Sequence, residues 1–241
     1  MLGGYGSGLG SSLRLAELSY RSDVKKPKKT GLGFSAAKSR QTTNQHAANP
    51  PKEHTSLEQQ ALSLVNQGQL QQAEAIYRNL IAAGTSNHIV YGNLAAICGM
   101  QGNFNEMIDL LKKALELKPN YPEAHYNLGL ALQEQDNLDA AIDSYNKALS
   151  LKPNYPEAHN NLGNALKEQD KINAAIVSYN KAISLKPDYQ EAHYNLGIAL
   201  QEQDNLDAAI DSYNKALSLK PNYTEAHNNL GNALKEQDKI N

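Results

Sequence analysis

The strongest constraint on the fold is a repeat of about 34 residues that runs through most of the chain, with Pro119, Pro153, Pro187 and Pro221 at equivalent places. Segments 122–155 and 190–223 differ only at their first and ninth residues, and segments 156–173 and 224–241 differ only at their first. A double unit, 122–189, has therefore been copied with little divergence. Such a chain is expected to form an array of similar small units that pack on one another.

Each unit has the pattern of two amphipathic helices. In 122–155, apolar residues recur every three or four positions, first at Ala124, Leu128, Ala131 and Leu132, then at Leu138, Ala141, Ile142, Tyr145, Ala148 and Leu149. Asp136 or Asn137 is expected to cap the second helix and Asn154 the next one, with Pro153 ending the helix before it. Two helices this short cannot bury both apolar faces alone, so stacking of successive units is predicted.

The period divides the chain into a repeat region and a tail. The predicted units are 54–87, 88–121, 122–155, 156–189, 190–223 and a partial 224–241. Residues 1–53 are rich in Gly, Ser and Lys, and we expect a disordered tail there. This tail has 9 basic and 3 acidic residues, whereas the whole chain has a net charge of -2.

The residues at fixed places in each unit resemble the tetratricopeptide repeat (TPR). The Leu-Gly pair of that motif stands at Leu128-Gly129, Leu162-Gly163, Leu196-Gly197 and Leu230-Gly231. The small residue that opens the second helix is Ala73, Ala141, Ala175 or Ala209, the aromatic residue is Tyr77, Tyr145, Tyr179 or Tyr213, and a second small residue is Ala114, Ala148, Ala182 or Ala216. The resemblance covers about residues 54–241 and implies an all-α fold, a right-handed α-solenoid of stacked antiparallel helix pairs (a TPR superhelix).

Some residues depart from the motif. Its early Trp is replaced by Leu57, Tyr91, His125, His159, His193 and His227, and Met107 and Leu111 stand in place of the usual Ala and aromatic residue. The first two units are thus atypical, as expected of capping units. The partial last unit matches an interior one, which predicts that this sequence is a fragment and that its open C-terminal repeat is able to self-associate.

The resemblance also implies a concave groove lined by the first helix of each unit. From the second unit onward, one asparagine per unit falls at a groove position, and we call this set the asparagine row: Asn93, Asn127, Asn161, Asn195 and Asn229. A carboxamide both donates and accepts hydrogen bonds, so such a row can pair with the backbone of an extended peptide. It is similar to the asparagine ladder in the repeat domain of O-linked N-acetylglucosamine transferase-type proteins. The neighbouring groove candidates are Tyr126, Asn160, Tyr194, Asn228, Asn164 and Asn232. The alternative is that asparagine is merely tolerated at an exposed helix position.

Other side chains favour structural roles. The four histidines are each a full repeat apart, which favours packing in place of the motif's Trp over metal binding. Cys98 is expected to be a small buried hydrophobe. We predict no metal site, cofactor or catalytic residue, and no phosphate-binding loop motif is present.

The sequence leaves two functions open. The first is a scaffold that holds other proteins or peptides in the groove. The second is the substrate-recruiting arm of a larger enzyme, glycosyltransferase-like or another transferase, whose catalytic domain lies beyond Asn241. No apolar run is long enough for a membrane span and no signal peptide is evident, so a cytoplasmic protein without membrane contact is predicted. The basic run 25–29 favours a solubilising tail over a nucleic-acid contact.

Overall fold

In this computed structural model, residues 52–240 are described, and that part of the chain holds eleven α-helices and no β-strand. The helices are α1 (Lys52–Asn66), α2 (Leu70–Ala82), α3 (His88–Met100), α4 (Phe104–Leu117), α5 (Pro122–Glu134), α6 (Leu138–Leu151), α7 (Pro156–Glu168), α8 (Ile172–Leu185), α9 (Gln190–Gln201), α10 (Leu206–Leu219) and α11 (Thr224–Ile240). They fall into two compact units that divide between Gln135 and Asp136. The predicted tail and its basic run lie outside the described residues, except that Lys52 and Glu53 begin α1.

Helices that follow one another pack together within each compact unit. In the first, α1 packs on α2, α2 on α3, α3 on α4 and α4 on α5. In the second, contacts join each helix from α6 to α11 to the next one. Short connections make these neighbours antiparallel. Odd-numbered helices also meet one another, α3 with α5, α7 with α9 and α9 with α11. The predicted all-α stack of helix pairs is therefore confirmed.

The core consists of the small and aromatic residues of the motif. Tyr77, Tyr145, Tyr179 and Tyr213 are at most 1% exposed. The motif alanines of the second helices are fully buried, and Met107 and Leu111 are buried in the same places of the atypical second pair. Burying a large apolar side chain stabilises a fold by about 1.5–3 kcal/mol. Four of the repeats thus contribute one large buried aromatic ring each, together with alanines that let the helices approach.

That aromatic contact is made on a glycine of the paired helix. A Cβ placed on Gly163 would lie 2.5 Å from Cε1 of Tyr179, and one on Gly197 would lie 2.6 Å from Cε1 of Tyr213. Real Cβ atoms do not approach ring carbons so closely, so the glycine makes room for the ring. At Gly231, by contrast, a Cβ would meet nothing within 4 Å.

The connections within pairs turn through a left-handed residue. Gly68 and Gly102 have positive φ in the first two pairs, whereas Asp136, Asp170 and Asp204 have φ of 59°, 60° and 58° in the next three. Aspartate is one of the few residues with a side chain that tolerate this conformation.

The expected asparagine caps are confirmed only in part. Asn137 occupies the N-cap position of α6 but makes no side-chain capping bond, and Asp139 in the first turn supplies negative charge there instead. Tyr155 rather than Asn154 is the N-cap of α7, because Pro156 begins that helix.

The glycine contact yields a matched pair of variants. Gly231→Ala should raise the free energy of unfolding by up to about 1 kcal/mol, because alanine is the better helix former. Gly163→Ala should lower it, because displacing the Tyr179 ring costs about 1–3 kcal/mol, and Gly163→Leu should lower it further. Urea unfolding followed by circular dichroism measures both effects. Equal midpoints for the two alanine variants would contradict the assigned contact.

Candidate functional site

The asparagine row occupies one position on α3, α5, α7, α9 and α11, but its members differ in burial. Asn93 and Asn127 are only 2% and 1% exposed. Asn161, Asn195 and Asn229, all in the second compact unit, are half-buried and reach the surface. We call the surface of α7, α9 and α11 that carries these three residues the asparagine face.

The two buried asparagines belong to the interior of the first compact unit. Nδ2 of Asn93 donates a hydrogen bond of 3.1 Å to the hydroxyl of Tyr77, whose pKa burial raises to about 12. The amide oxygens of Asn93 and Asn127 are buried and accept no hydrogen bond from the described residues. Contact between a partner and these two side chains stays a prediction.

In the second compact unit, hydrogen bonds join the first helices of successive pairs. Nδ2 of Asn195 donates to Oδ1 of Asn160 at 3.0 Å, and Nδ2 of Asn160 donates to Oδ1 of Asn161 at 3.3 Å. Nδ2 of Asn229 donates to the hydroxyl of Tyr194 at 3.1 Å. These bonds form two polar groups: one joins α7 to α9 through Asn160, Asn161 and Asn195, and the other joins α9 to α11 through Tyr194 and Asn229.

The remaining groove candidates have different surroundings. Tyr126 is buried, whereas Asn228 and Asn232 on α11 are exposed. The hydroxyl of Tyr179 donates to Oδ1 of Asn164 at 2.8 Å. The Tyr194 ring lies 4.9 Å, centroid to centroid, from the ring of Tyr223.

A pocket opens between α9, α10 and α11, and we call it the α9–α11 pocket. Its lining residues are Ile198, Gln201, Glu202, Asp204, Tyr213, Asn229 and Glu236. Nε2 of Gln201 donates to Oε2 of Glu236 at 2.7 Å, and the Tyr213 hydroxyl donates to Oε1 of Gln201 at 2.9 Å. The pocket adjoins the asparagine face through Asn229 and was not predicted from the sequence.

The histidines that replace the motif's Trp have a specific role. In each, Nε2 bonds the carbonyl oxygen of the proline six residues earlier, at 2.8–3.1 Å: His125 to Pro119, His159 to Pro153, His193 to Pro187 and His227 to Pro221. A carbonyl only accepts, so Nε2 must carry the proton. The Tyr91 hydroxyl makes the equivalent bond to the carbonyl of Thr85 at 3.2 Å. The predicted packing role is thus also a polar one, since this bond ties the helix to the loop before it.

A lysine and a tyrosine add a second contact to the same loops. The ammonium groups of Lys118, Lys152, Lys186 and Lys220 lie 4.1–5.5 Å from the ring centroid of the tyrosine three residues later. Such cation–π contacts are worth about 0.5–1 kcal/mol at exposed sites. The loop between pairs is therefore held by two contacts that recur with the repeat.

The histidine bond can be tested at His193, which is 9% exposed. His193→Phe keeps an aromatic ring but leaves the Pro187 carbonyl without its donor, which should cost about 1 kcal/mol. His193→Tyr should cost less, because Tyr91 shows that a tyrosine hydroxyl can make this bond. Thermal unfolding of the two variants is the measurement, and an equal loss in both would argue against the hydrogen bond.

Two further features of the described residues bear on chemistry. Cys98 is fully buried, as predicted, and burial raises the pKa of its thiol to about 12. Between residues 52 and 240, no three His, Cys, Asp or Glu side chains are grouped so that they could hold a metal ion, and no helix is long and apolar enough to span a membrane.

On α11, Leu234 is 43% exposed, and self-association through this face stays a prediction.

The described residues form stacked antiparallel helix pairs, and in two of these pairs a buried tyrosine ring packs on a glycine of the paired helix. This arrangement defines a helical-repeat protein. Segments 97–136, 134–170, 163–204 and 202–238 match the family model of the TPR repeat. The chain belongs to the TPR-repeat family.

Solved structures show the same fold. One crystal structure of MamA is 28% identical with a TM-score of 0.62 and covers 68% of this chain and 96% of that one. YrrB, a TPR protein with an unusual peptide-binding site, is 21% identical with a TM-score of 0.63 over 73% of this chain and 92% of its own. MamA from Desulfovibrio magneticus RS-1 is 17% identical with a TM-score of 0.65, covering 72% and 98%. No curated protein matches the chain.

Proposed function

We propose that this protein is a scaffold that binds an extended segment of another protein along the asparagine face. The observation that carries the proposal is that three adjoining helices, α7, α9 and α11, present carboxamides that hydrogen bonds hold from one helix to the next. Proteins of the TPR family bind other proteins or peptides, and YrrB has a peptide-binding site on this fold.

The geometry suits a backbone ligand. Asn195 uses one amino hydrogen in its bond to Asn160, and a carboxamide has a second amino hydrogen and an oxygen with two acceptor sites. Helices in contact are about 8–10 Å apart, so about three residues of an extended chain cross from one to the next. The three helices therefore match a segment of roughly six to nine residues, whose peptide groups can bond the asparagines.

The internal bonds also prepare the site for a ligand. Because Asn160 holds Asn195 and Tyr194 holds Asn229, less side-chain freedom is lost when a segment binds. Binding of this kind recognises the backbone, so side-chain preference has to come from neighbouring positions.

We place this activity in the cytoplasm, where the single buried thiol of Cys98 needs no partner.

The test uses the full chain and a library of random twelve-residue peptides. We expect bound peptides to lose at least about tenfold in affinity when Asn161, Asn195 and Asn229 are all changed to Ala, since each net hydrogen bond is worth about 0.5–1.5 kcal/mol. Fluorescence anisotropy with the selected peptides measures the dissociation constants. Asn93 and Asn127 are left intact because they are buried.

The chain offers a matched control on its second helices. Asn146, Asn180 and Asn214 are exposed on α6, α8 and α10, away from the asparagine face. The same triple change to Ala there should leave affinity unaltered. Recovery of no peptide, or equal affinity for all three proteins, would refute the proposal.

A second candidate makes this face the substrate-recruiting arm of a larger enzyme. The asparagine row, with its likeness to that of O-linked N-acetylglucosamine transferase-type repeat domains, favours it. The distinguishing measurement is the gene sequence after the codon for Asn241. A transferase domain in the same reading frame supports the arm, and a stop codon there rejects it.

A further inference from the structure

The second compact unit contains the same local site twice, in successive repeats, with different side chains. Between α7 and α9, Nζ of Lys167 lies 3.5 Å from Oε1 of Glu202. Between α9 and α11, Gln201 stands in the place of that lysine and donates to Glu236, which stands in the place of Glu202. The first site carries its own cation, whereas the second offers its carboxylate only a neutral amide.

The two sites also differ at a second position, the residue near the tyrosine hydroxyl. The Tyr179 hydroxyl bonds Asn164 in the first site, but the equivalent residue in the second site is Ile198, and the Tyr213 hydroxyl turns to Gln201 instead. The α9–α11 pocket therefore has an apolar wall formed by Ile198 next to a buried tyrosine. An apolar wall favours an aliphatic or aromatic group over a small hydrated ion.

The rim of the same pocket is acidic. Glu202, Asp204 and Glu236 line it, and none of its lining residues is Lys or Arg. Lys167 approaches Glu202 from the neighbouring site, so Asp204 and Glu236 supply most of the uncompensated charge. Apolar wall and acidic rim together match a side chain with an aliphatic stem and a cationic end.

We propose that the α9–α11 pocket binds a lysine or arginine side chain of the segment held on the asparagine face. The stem packs against Ile198, and the cationic group pairs with Glu236 and Asp204, as Lys167 pairs with Glu202 one repeat earlier. The inference rests on the proposed function, because Asn229 belongs to both the pocket and the asparagine face. It adds a side-chain preference to a site that otherwise recognises backbone.

The test compares two small probes on the full chain, N-acetylarginine N-methylamide and its uncharged analogue N-acetylcitrulline N-methylamide. Shifts of the Asn229 side-chain amide are followed by ¹⁵N NMR and assigned from the spectrum of Asn229→Ala. We expect the arginine probe to bind about two- to fivefold more tightly than the citrulline probe, the range expected for a partly exposed ion pair. Added salt should reduce that difference.

Two reciprocal variants sharpen the test. Gln201→Lys places a lysine where the neighbouring site has one, and should abolish the preference for arginine. Lys167→Gln removes the cation beside Glu202, which lines the α9–α11 pocket, and should therefore increase the preference for arginine there. Equal binding of the two probes, or an arginine preference that survives Gln201→Lys, would overturn the inference.

The outcome separates this inference from the proposed function. Selected peptides that depend on the asparagines but show no basic position would refute the pocket and leave the backbone site standing. The opposite result is an arginine preference that Gln201→Lys removes, with a peptide affinity that does not change when the asparagines are replaced. That result would support the pocket and refute the backbone site.

Discussion

The contact between a second-helix tyrosine and a first-helix glycine underlies the rest of this structure. With the Tyr179 ring against Gly163 and the Tyr213 ring against Gly197, each helix pair closes around one large buried side chain. A side chain on the glycine would separate the helices and shift every position that follows. Because the same contact recurs in successive repeats, the first helices of successive pairs come into register and can touch, as α7, α9 and α11 do. The hydrogen bonds that join these helices on the asparagine face depend on that register.

The parts of the fold that depend on packing could be predicted from the sequence. The spacing of alanine, leucine and tyrosine in one unit indicates two helices, and the structure buries the motif residues accordingly. A buried face requires a fixed residue size at a fixed period, so the pattern carries the information directly. The residues that replace Ala and Tyr in the second pair are buried in the same way, because any apolar side chain of suitable volume fills those places.

Polar contacts could not be predicted in the same way. Packing is the role expected of His125 and its equivalents, but their hydrogen bond to a proline carbonyl depends on the loop conformation, which the residue types alone do not determine. The sequence places Asn93 and Asn195 in one row, yet Asn93 is buried and bonds the Tyr77 hydroxyl, whereas Asn195 is half-buried and bonds Asn160. A carboxamide suits both surroundings, so its identity says little about its exposure.

The fold and its surface repeat at different periods. Packing positions recur in successive units, whereas the positions of the proposed ligand site alternate between units, with Tyr194 following Asn160, Ile198 following Asn164 and Gln201 following Lys167. Helix packing does not require this alternation, since both kinds of helix hold their tyrosine and alanines equally well. Because of this alternation, the site in which Lys167 pairs with Glu202 lies beside the α9–α11 pocket, which has an acidic rim and an apolar wall. Two neighbouring repeats with the same backbone therefore offer a bound segment different side-chain environments, and a surface of this kind can determine the direction and register of an extended chain that the asparagines alone would bind in several registers.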